Sequence, residues 1–319
     1  MTPAPPPELV IIGDCNPDVL VLGGDVAPEY GQREQLVPAI SLVIGGSAAI
    51  TAVAAARLGV RTSLVAAVGD DPAGQFMRGE LTRAGVDVSS VIVRPGLATG
   101  MTVALTRGTD RAILTATGAM TALTAEDVPA SLLAAARHVH VSSYFLMADS
   151  LGPGLADVLR RSRAAGASTS LDTNWDPAEK WLDEQLRAVL DECDVLLPNE
   201  AEALCLSGAA SPELAAAKLS SAGARIAIKM GARGAMALSG EHHYFAAPPP
   251  AQVVDSTGAG DCFNAGLLAG LLRGLDMRGA LALGCAAGTA STRALGGTGG
   301  SADWAEATAL AAAVRVWET

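Results

Sequence analysis

Short apolar runs alternate with alanine-rich stretches of helical period along most of this 319-residue chain. No other feature limits the fold as much. Leu9–Ile12, Thr62–Val68, His138–Ser142, Ser168–Leu171, Asp194–Leu197 and Arg225–Lys229 have the length and apolar content of buried strands. Helical patterns fall between them, over Ser47–Leu58, Pro72–Ala84, Glu126–Ala136, Leu155–Ala165, onward from Glu200, and Pro212–Ala222. Several end at a glycine, such as Gly59, Gly85 or Gly166, which can take the left-handed turn past a helix end. Consecutive parallel strands need a crossover, and a helix supplies it. The expected fold is therefore α/β, a mostly parallel central sheet with helices on both faces. Ala235–Leu238 and His243–Ala246 read as a hairpin around Ser239-Gly240, and helices near Met277–Arg293 and Asp303–Val316 close the chain.

Two segments break this rhythm. Asp18–Leu42 and Val91–Thr117 alternate as strands do, with no helix pattern between them, and Arg107-Gly108-Thr109-Asp110 reads as a hairpin turn. They are expected to form a small β-sheet standing off the main domain. The division is then residues 1–7 as a loose tail, 8–17, 43–90 and 118–319 as the α/β domain, and 18–42 and 91–117 as the small sheet.

Composition narrows the partners. The formal charge of −11, from 33 acidic against 22 basic residues, argues against a nucleic-acid surface. Cys15, Cys193, Cys205, Cys262 and Cys285 form no C-x-x-C pair and are odd in number, which fits a reducing cytoplasm better than a disulfide framework. His138/His140 and His242/His243 lack the further ligands of a transition-metal site, and His138 and His140 should line one side of a strand. The proline-rich Met1–Pro7 lacks the pattern of a signal peptide. The most apolar stretch, Ile40–Ala56, is interrupted by Gly45-Gly46-Ser47, so no membrane span is expected.

Chemistry concentrates at Asp255-Ser256-Thr257-Gly258-Ala259-Gly260-Asp261, between an extended run at Gln252–Val254 and a long apolar helix pattern. Glycines let a backbone approach a bound group closely, and N–H groups at a helix N-terminus attract anions. Gly258, Ala259 and Gly260 can thus form an anion hole. The Asp261 carboxylate would not bind the same anion, but it can take a proton from whatever attacks it. That pairing is the equipment of phosphoryl transfer to a hydroxyl. Read alone, the string could also be a helix cap and turn.

The string, continued through Cys262-Phe263-Asn264-Ala265-Gly266, resembles the C-terminal signature of the ribokinase-like, phosphofructokinase-B family of carbohydrate kinases. The resemblance implies an ATP- and Mg2+-dependent hydroxymethyl kinase with Asp261 as catalytic base, and a small sheet that acts as a lid over the substrate. Four further strings resemble family elements in family order. Gly13-Asp14-Cys15-Asn16-Pro17-Asp18 is similar to the N-terminal element, with Asp18 implied to bind substrate hydroxyls and Asp14 and Asn16 as second choices; alone it is equally a polar turn. Gly45-Gly46-Ser47-Ala48-Ala49-Ile50 is similar to the first signature, where backbone at Gly45 and Gly46 would touch the sugar. The family usually has asparagine where this chain has Ile50, which removes one polar contact and puts ribose recognition in doubt. Asn199-Glu200-Ala201-Glu202 matches the N-x-x-E element, with Asn199 and Glu202 implied to organise Mg2+ and the ATP phosphates, mostly through water. Lys229-Met230-Gly231-Ala232-Arg233-Gly234 resembles the nucleotide loop, with Lys229, Gly231 and Gly234 near ATP.

Asp172-Thr173-Asn174-Trp175-Asp176 resembles a D-x-N-x-R element of the branch acting on sugar acids, with Asn174 implied to touch substrate. Asp176 stands in place of the arginine. A carboxylate there would repel an acidic substrate, which favours a small neutral sugar; an inward Arg107 or Arg111 would reverse that preference. The family implies K+ near Asp255 and Thr257 and around 290–296, and a homodimer formed through the lid. A nucleoside kinase of the same fold is the alternative, but aromatics are only 3% of the chain, too few to promise a base-stacking pocket. A non-catalytic nucleotide-sensing protein is the second alternative, against which the intact Asp261 weighs.

Overall fold

The structure is a computed structural model that describes residues 5–23, 25–107, 110–220 and 224–319, with the side chains of residues 106–111 outside the described set. The first half of the chain runs β1 (Leu9–Ile12), β2 (Asn16–Leu22), β3 (Ala39–Gly45), α1 (Ser47–Arg57), β4 (Thr62–Gly69), α2 (Pro72–Arg83), β5 (Val91–Arg94), β6 (Met101–Arg107), β7 (Asp110–Ala116), α3 (Ala130–Ala135), β8 (His138–Ser142) and α4 (Gly152–Ala164). It continues with β9 (Ser168–Asp172), α5 (Glu184–Leu190), β10 (Val195–Leu196), α6 (Glu200–Ser207), α7 (Pro212–Leu219), β11 (Arg225–Lys229), β12 (Ala235–Ser239), β13 (His242–Ala247), α8 (Ala259–Leu272), α9 (Met277–Ser291), α10 (Trp304–Ala311) and β14 (Arg315–Glu318).

Ten strands form one sheet in the order β14-β13-β12-β11-β10-β9-β8-β1-β4-β5, parallel from β11 to β5 and antiparallel from β11 to β14. Alternation along β1 shows how the core is divided: Leu9 and Ile11 join one apolar layer with α1, α8 and α9, while Val10 and Ile12 join the other with α4, α5 and α6. Burial on both faces is why these strands are apolar throughout. Helix starts are fixed locally. Asp71, Ser211, Asp276 and Asp303 each accept a backbone N–H two or three residues into α2, α7, α9 and α10.

A second sheet, β3-β2-β6-β7, stands apart from the first. Its membership corrects the expected division. Val91–Arg94 pairs in parallel with β4 and belongs to the main sheet, so the second piece of the small sheet begins at Met101. Asn16-Pro17 pairs with Ile44-Gly45, and Val43 with Asp18, inside the small sheet. Two other expectations fail. Gln252–Val254 forms no strand, and the helix expected to end at Val316 stops at Ala311, followed by β14, which pairs with β13.

Inside the main sheet, β8 and β9 turn a row of polar side chains into one buried layer. The His138 Nδ1 and Nε2 lie 2.6 and 2.7 Å from the Ser168 and Ser170 hydroxyls. The His140 Nδ1 and Nε2 lie 2.7 and 2.9 Å from the Ser170 and Ser142 hydroxyls. Burial pushes the two imidazoles down to about 3 for His138 and about 4 for His140, so both are neutral.

Candidate active site

Parallel pairing places the C-terminal ends of β1, β4, β8, β9, β10 and β11 along one edge of the sheet, where α/β proteins bind ligands. The polar residues singled out in the sequence follow these ends, and α1 and α8 begin there too. Gly258 caps α8 at φ 71°, a left-handed conformation in which a Cβ would come within 2.5 Å of the Gly297 Cα. Ala259, Gly260 and Asp261 occupy the first turn of α8; the Ala259 N–H donates to the Ser256 carbonyl at 3.3 Å, and the carboxylate shares its helix end with N–H groups that have no acceptor within the helix.

A cleft of about 540 Å³ opens beside this turn. Lys229, Gly231 and Gly234 line it from one side, and Ala259, Gly260 and Phe263 from the other. Asn199 is bridged to Lys229 at the adjoining strand end. Its side chain caps α6 reciprocally with Glu202: Asn199 Oδ1 accepts from the Glu202 N–H at 2.9 Å, and Glu202 accepts from the Asn199 backbone N–H at 2.8 Å.

On the other side of Asp261, the Asp14 carboxylate accepts from the N–H groups of Ser47 and Ala48 at 3.1 and 2.9 Å, so it caps α1. Asn16 donates to Asp18 and to Thr102 of β6, each at 3.2 Å, tying the strand end to the small sheet. Gly45 lies against the Asp18 carboxylate so closely that a Cβ would collide with it, and Gly46 adjoins the Asn16 amide. Asn174 donates to the Ser47 hydroxyl at 2.7 Å, and Ser47 lies beside the Asp261 carboxyl, where its hydroxyl favours the charged form. Asp14, Asn16, Asp18, Gly45, Gly46 and Asn174 are thus joined in one polar cluster that reaches Asp261.

Two expectations do not survive. Ile50 is buried and packs beneath Gly258 and Gly297, so it supports the α8 loop from the core and forms no wall toward a substrate. Asp176 faces its own loop, accepting from the N–H groups of Ala178, Lys180 and Trp181 at 2.8, 2.6 and 2.7 Å. Buried and turned into its own loop, Asp176 does not present its carboxylate to a substrate, which weakens the reason for preferring a neutral sugar. The side chains of Arg107 and Arg111 lie outside the described residues. Asp255 accepts from Thr257 N–H and hydroxyl at 2.9 and 2.7 Å, and from Gly296 N–H at 2.9 Å, stapling the loop before α8 to the segment after α9.

The electrostatics turn on a residue that stands in a quoted motif but was given no role there. Asp172, buried at the end of β9, accepts from the Lys229 ammonium and from the Asn264 amide, both at 2.5 Å on the same oxygen. The Lys229 chain passes 3.6 Å from where a Gly260 Cβ would stand. Burial, then the Asp172 charge, push the Asp261 carboxyl up to about 8, with Lys229 opposing. Burial and Asp172 likewise raise Glu202 to about 7. Burial works against the Lys229 ammonium, yet Asp172, Glu202 and Asp261 together hold its pKa above the ordinary value. The arrangement is a cluster of acids around one ammonium beside the N-terminus of α8. It can accept a proton near neutral pH and hold a polyphosphate at the helix end. Asp172, Ser47 and Asn264 stand inside the motifs quoted from the sequence but were given no role there; an aspartate closing a buried parallel strand was the further signal for Asp172.

Residues 7–304 match the pfkB family carbohydrate kinase model. A 2-dehydro-3-deoxygluconokinase of Thermoproteus tenax is 34% identical over 256 residues, 76% of this chain and 78% of its own. The ribokinase of Bacillus subtilis is 30% identical over 296 residues, 92% and 95% of the two chains. A solved candidate ribokinase II from E. coli, in complex with ATP and Mg2+, superposes with a TM-score of 0.83 at 27% identity, covering 95% of this chain and 98% of that one. The main sheet with its helices and the smaller separate sheet are accordingly the ribokinase-like fold, and this chain belongs to the pfkB family of carbohydrate kinases, phosphotransferases that act on sugars.

Proposed function

We propose that the protein transfers the γ-phosphoryl group of ATP to a hydroxymethyl group of a small sugar, with Asp261 as general base. The observation that carries this reading is the position of Asp261, one residue past Gly258, Ala259 and Gly260 and between the cleft and the polar cluster. ATP would lie in the cleft with its phosphates at the N-terminus of α8. The sugar would lie against Asp18, Asn16, Gly45 and Gly46, under the small sheet as a water-excluding lid. As the hydroxyl oxygen attacks the γ-phosphorus, its proton passes to Asp261, the bond to the β-phosphate oxygen breaks, and ADP leaves. The N–H groups of the anion hole and the Lys229 ammonium offset charge on the transferred group.

Mg2+ fits here as a phosphate-bound ion. The Glu202 carboxyl, buried beside Asp172 and raised to about 7, is an oxygen donor short of positive charge. Among the described residues no three His, Cys, Asp or Glu side chains form a metal cage, as suits an ion that keeps its waters and binds mainly through phosphates. Glu202 and Asn199 would hold it through water, and it would supply neutralising charge for the triphosphate. K+ belongs to the same reading, near the loops that Asp255 and Thr257 join; replacing it by Na+ should lower kcat. Ile40, Leu42, Ile113 and Leu114 are exposed on the lid, and a second copy pairing lid to lid would cover them, which light scattering tests.

The experiment is ADP release from Mg-ATP with a panel of sugars, sugar acids and nucleosides. Release that depends on a sugar acceptor and collapses in Asp261→Asn supports the reading. A nucleoside as best acceptor would favour the nucleoside kinase, and ATP binding without acceptor-dependent release would favour a nucleotide sensor.

A further inference from the structure

Aromatic residues are scarce in this chain, yet four of its eleven converge at one place. Tyr144, Phe145, Trp175 and Trp181 follow the C-terminal ends of β8 and β9, on the same edge of the sheet as Asp261. Their rings meet edge to face in series, with centroids 5.4 Å apart for Tyr144–Phe145, 5.7 Å for Phe145–Trp181 and 4.8 Å for Trp175–Trp181. Tyr144 is buried, and the series ends at Trp175, which is 49% exposed. An aromatic series anchored in the core and ending in an open indole is a stacking platform.

The backbone that carries it is strained. Among the described residues, five without a glycine's freedom have left-handed backbone, and four of them, Ser143, Asn174, Glu179 and Trp181, hold this cluster. The Asp176 carboxylate ties the loop down through its three N–H contacts. Strain that the surrounding structure maintains collects where a protein binds something. An independent observation concerns Asn174. Its amide nitrogen reaches Ser47, but its Oδ1 is buried with no hydrogen-bond partner. A buried carbonyl oxygen without a donor is costly, so a ligand that brings a hydroxyl or N–H there is favoured.

We infer that Trp175, backed by Trp181 and Phe145, forms a substrate subsite next to Asn174 for a planar, apolar substituent on the sugar, at the end remote from the phosphorylated hydroxymethyl group. The occupant is the substrate itself, because the Asn174 amide donates to Ser47, which lies beside Asp261, so the subsite adjoins the proposed base. The best acceptor would then be a sugar that carries a flat group, with a hydroxyl donating to Asn174 Oδ1. The inference rests on the sugar-kinase reading and specifies the substrate class for that same site.

Matched glycosides test it: methyl and phenyl β-D-ribofuranoside, and methyl and phenyl β-D-fructofuranoside. The phenyl member of at least one pair should have the higher kcat/KM, by about tenfold for one stacked ring. Trp175→Ala should collapse that ratio, Trp175→Phe should keep most of it, and Trp317→Ala, remote on β14, should leave it alone. Calorimetry of each pair binding without nucleotide reads the subsite with no turnover. Tighter phenyl binding that Trp175→Ala abolishes supports the subsite even if no glycoside is phosphorylated, in which case the kinase reading alone fails. Equal binding and equal kcat/KM within both pairs, or a phenyl preference that survives Trp175→Ala, overturns the subsite and leaves the kinase reading standing.

Discussion

Asp261 is held in a condition that folding alone would not choose. Its carboxyl pKa is raised to about 8 against an ordinary value near 3.8. Between those pH values the folded state holds the proton more tightly than the unfolded chain does, so stability contributed by this group falls as pH rises from 4 to 8. Asp261→Asn removes that liability, and its melting temperature at pH 8 should exceed wild type by a few degrees, about 2–4 °C per kcal/mol relieved. The same change removes the base, so kcat should fall by ~10²–10⁴-fold while ATP affinity holds or improves. A mutant with more than about a tenth of wild-type kcat in single turnover would mean another base. Lys229→Met makes the complementary test. Without the ammonium, Asp261 and Glu202 lose the charge that opposes their rise, so the acidic limb of kcat/KM against pH should move to higher pH; an unmoved limb would separate Lys229 from the base. Asp261 and its glycines were legible because they are contiguous. Asp172 and Asn264 stand 92 positions apart, and no local pattern announces that they share an oxygen.

Single elements show what local rules can and cannot fix. The helices were legible because caps and stops are written in adjacent residues, as Asp71-Pro72 at the start of α2 shows. Membership of a sheet is a long-range fact. Val91–Arg94 has the same alternation as its neighbours in the small sheet, and pairing with β4 decides where it goes. Arg315–Glu318 continues a helical pattern, yet the open edge of β13 claims it. Asp176 was misread for a related reason: its place in a motif was visible, but not the loop N–H groups that saturate it. Gly258 belongs to this scale, since it sets how α8 begins. Gly258→Ala forces a methyl group toward Gly297 and Ile50 in a left-handed conformation, at a cost of roughly 1–3 kcal/mol. Urea unfolding should show that loss, and kcat should drop with it because the helix end proposed to hold the phosphates shifts. Wild-type stability with reduced kcat would mean the loop relaxes elsewhere.

At the scale of the molecule, the α/β architecture was plain from strand–helix rhythm, whereas the division between sheets was not, because the chain passes from the main sheet to the small one in the short connection between Ile12 and Asn16. The buried imidazoles give the whole fold a pH limit. With folded values of about 3 and about 4, His138 and His140 stay neutral where an unfolded chain takes up protons near 6.5. Stability from this pair is complete above about 6.5 and drains as pH falls toward 4, by about 1.4 kcal/mol per pH unit for each proton. Denaturant midpoints measured from pH 7 to 4.5 should fall accordingly, and a flat profile would mean the pair is solvated.

The serine–imidazole row has a further property, which is polarity. The Arg137 carbonyl, 3.5 Å from the Ser168 hydroxyl, can only accept. Ser168 must then accept from His138 Nδ1–H, His138 Nε2 from Ser170, Ser170 from His140 Nδ1–H, and His140 Nε2 from Ser142. Every donor in the file points the same way, so neither ring can change tautomer alone without setting two hydrogens, or two lone pairs, face to face. Both should appear in nitrogen NMR as the Nδ1–H form, and a change at Ser142 should register on His138, beyond the intervening His140 and Ser170, as one end of a line of dominoes registers at the other.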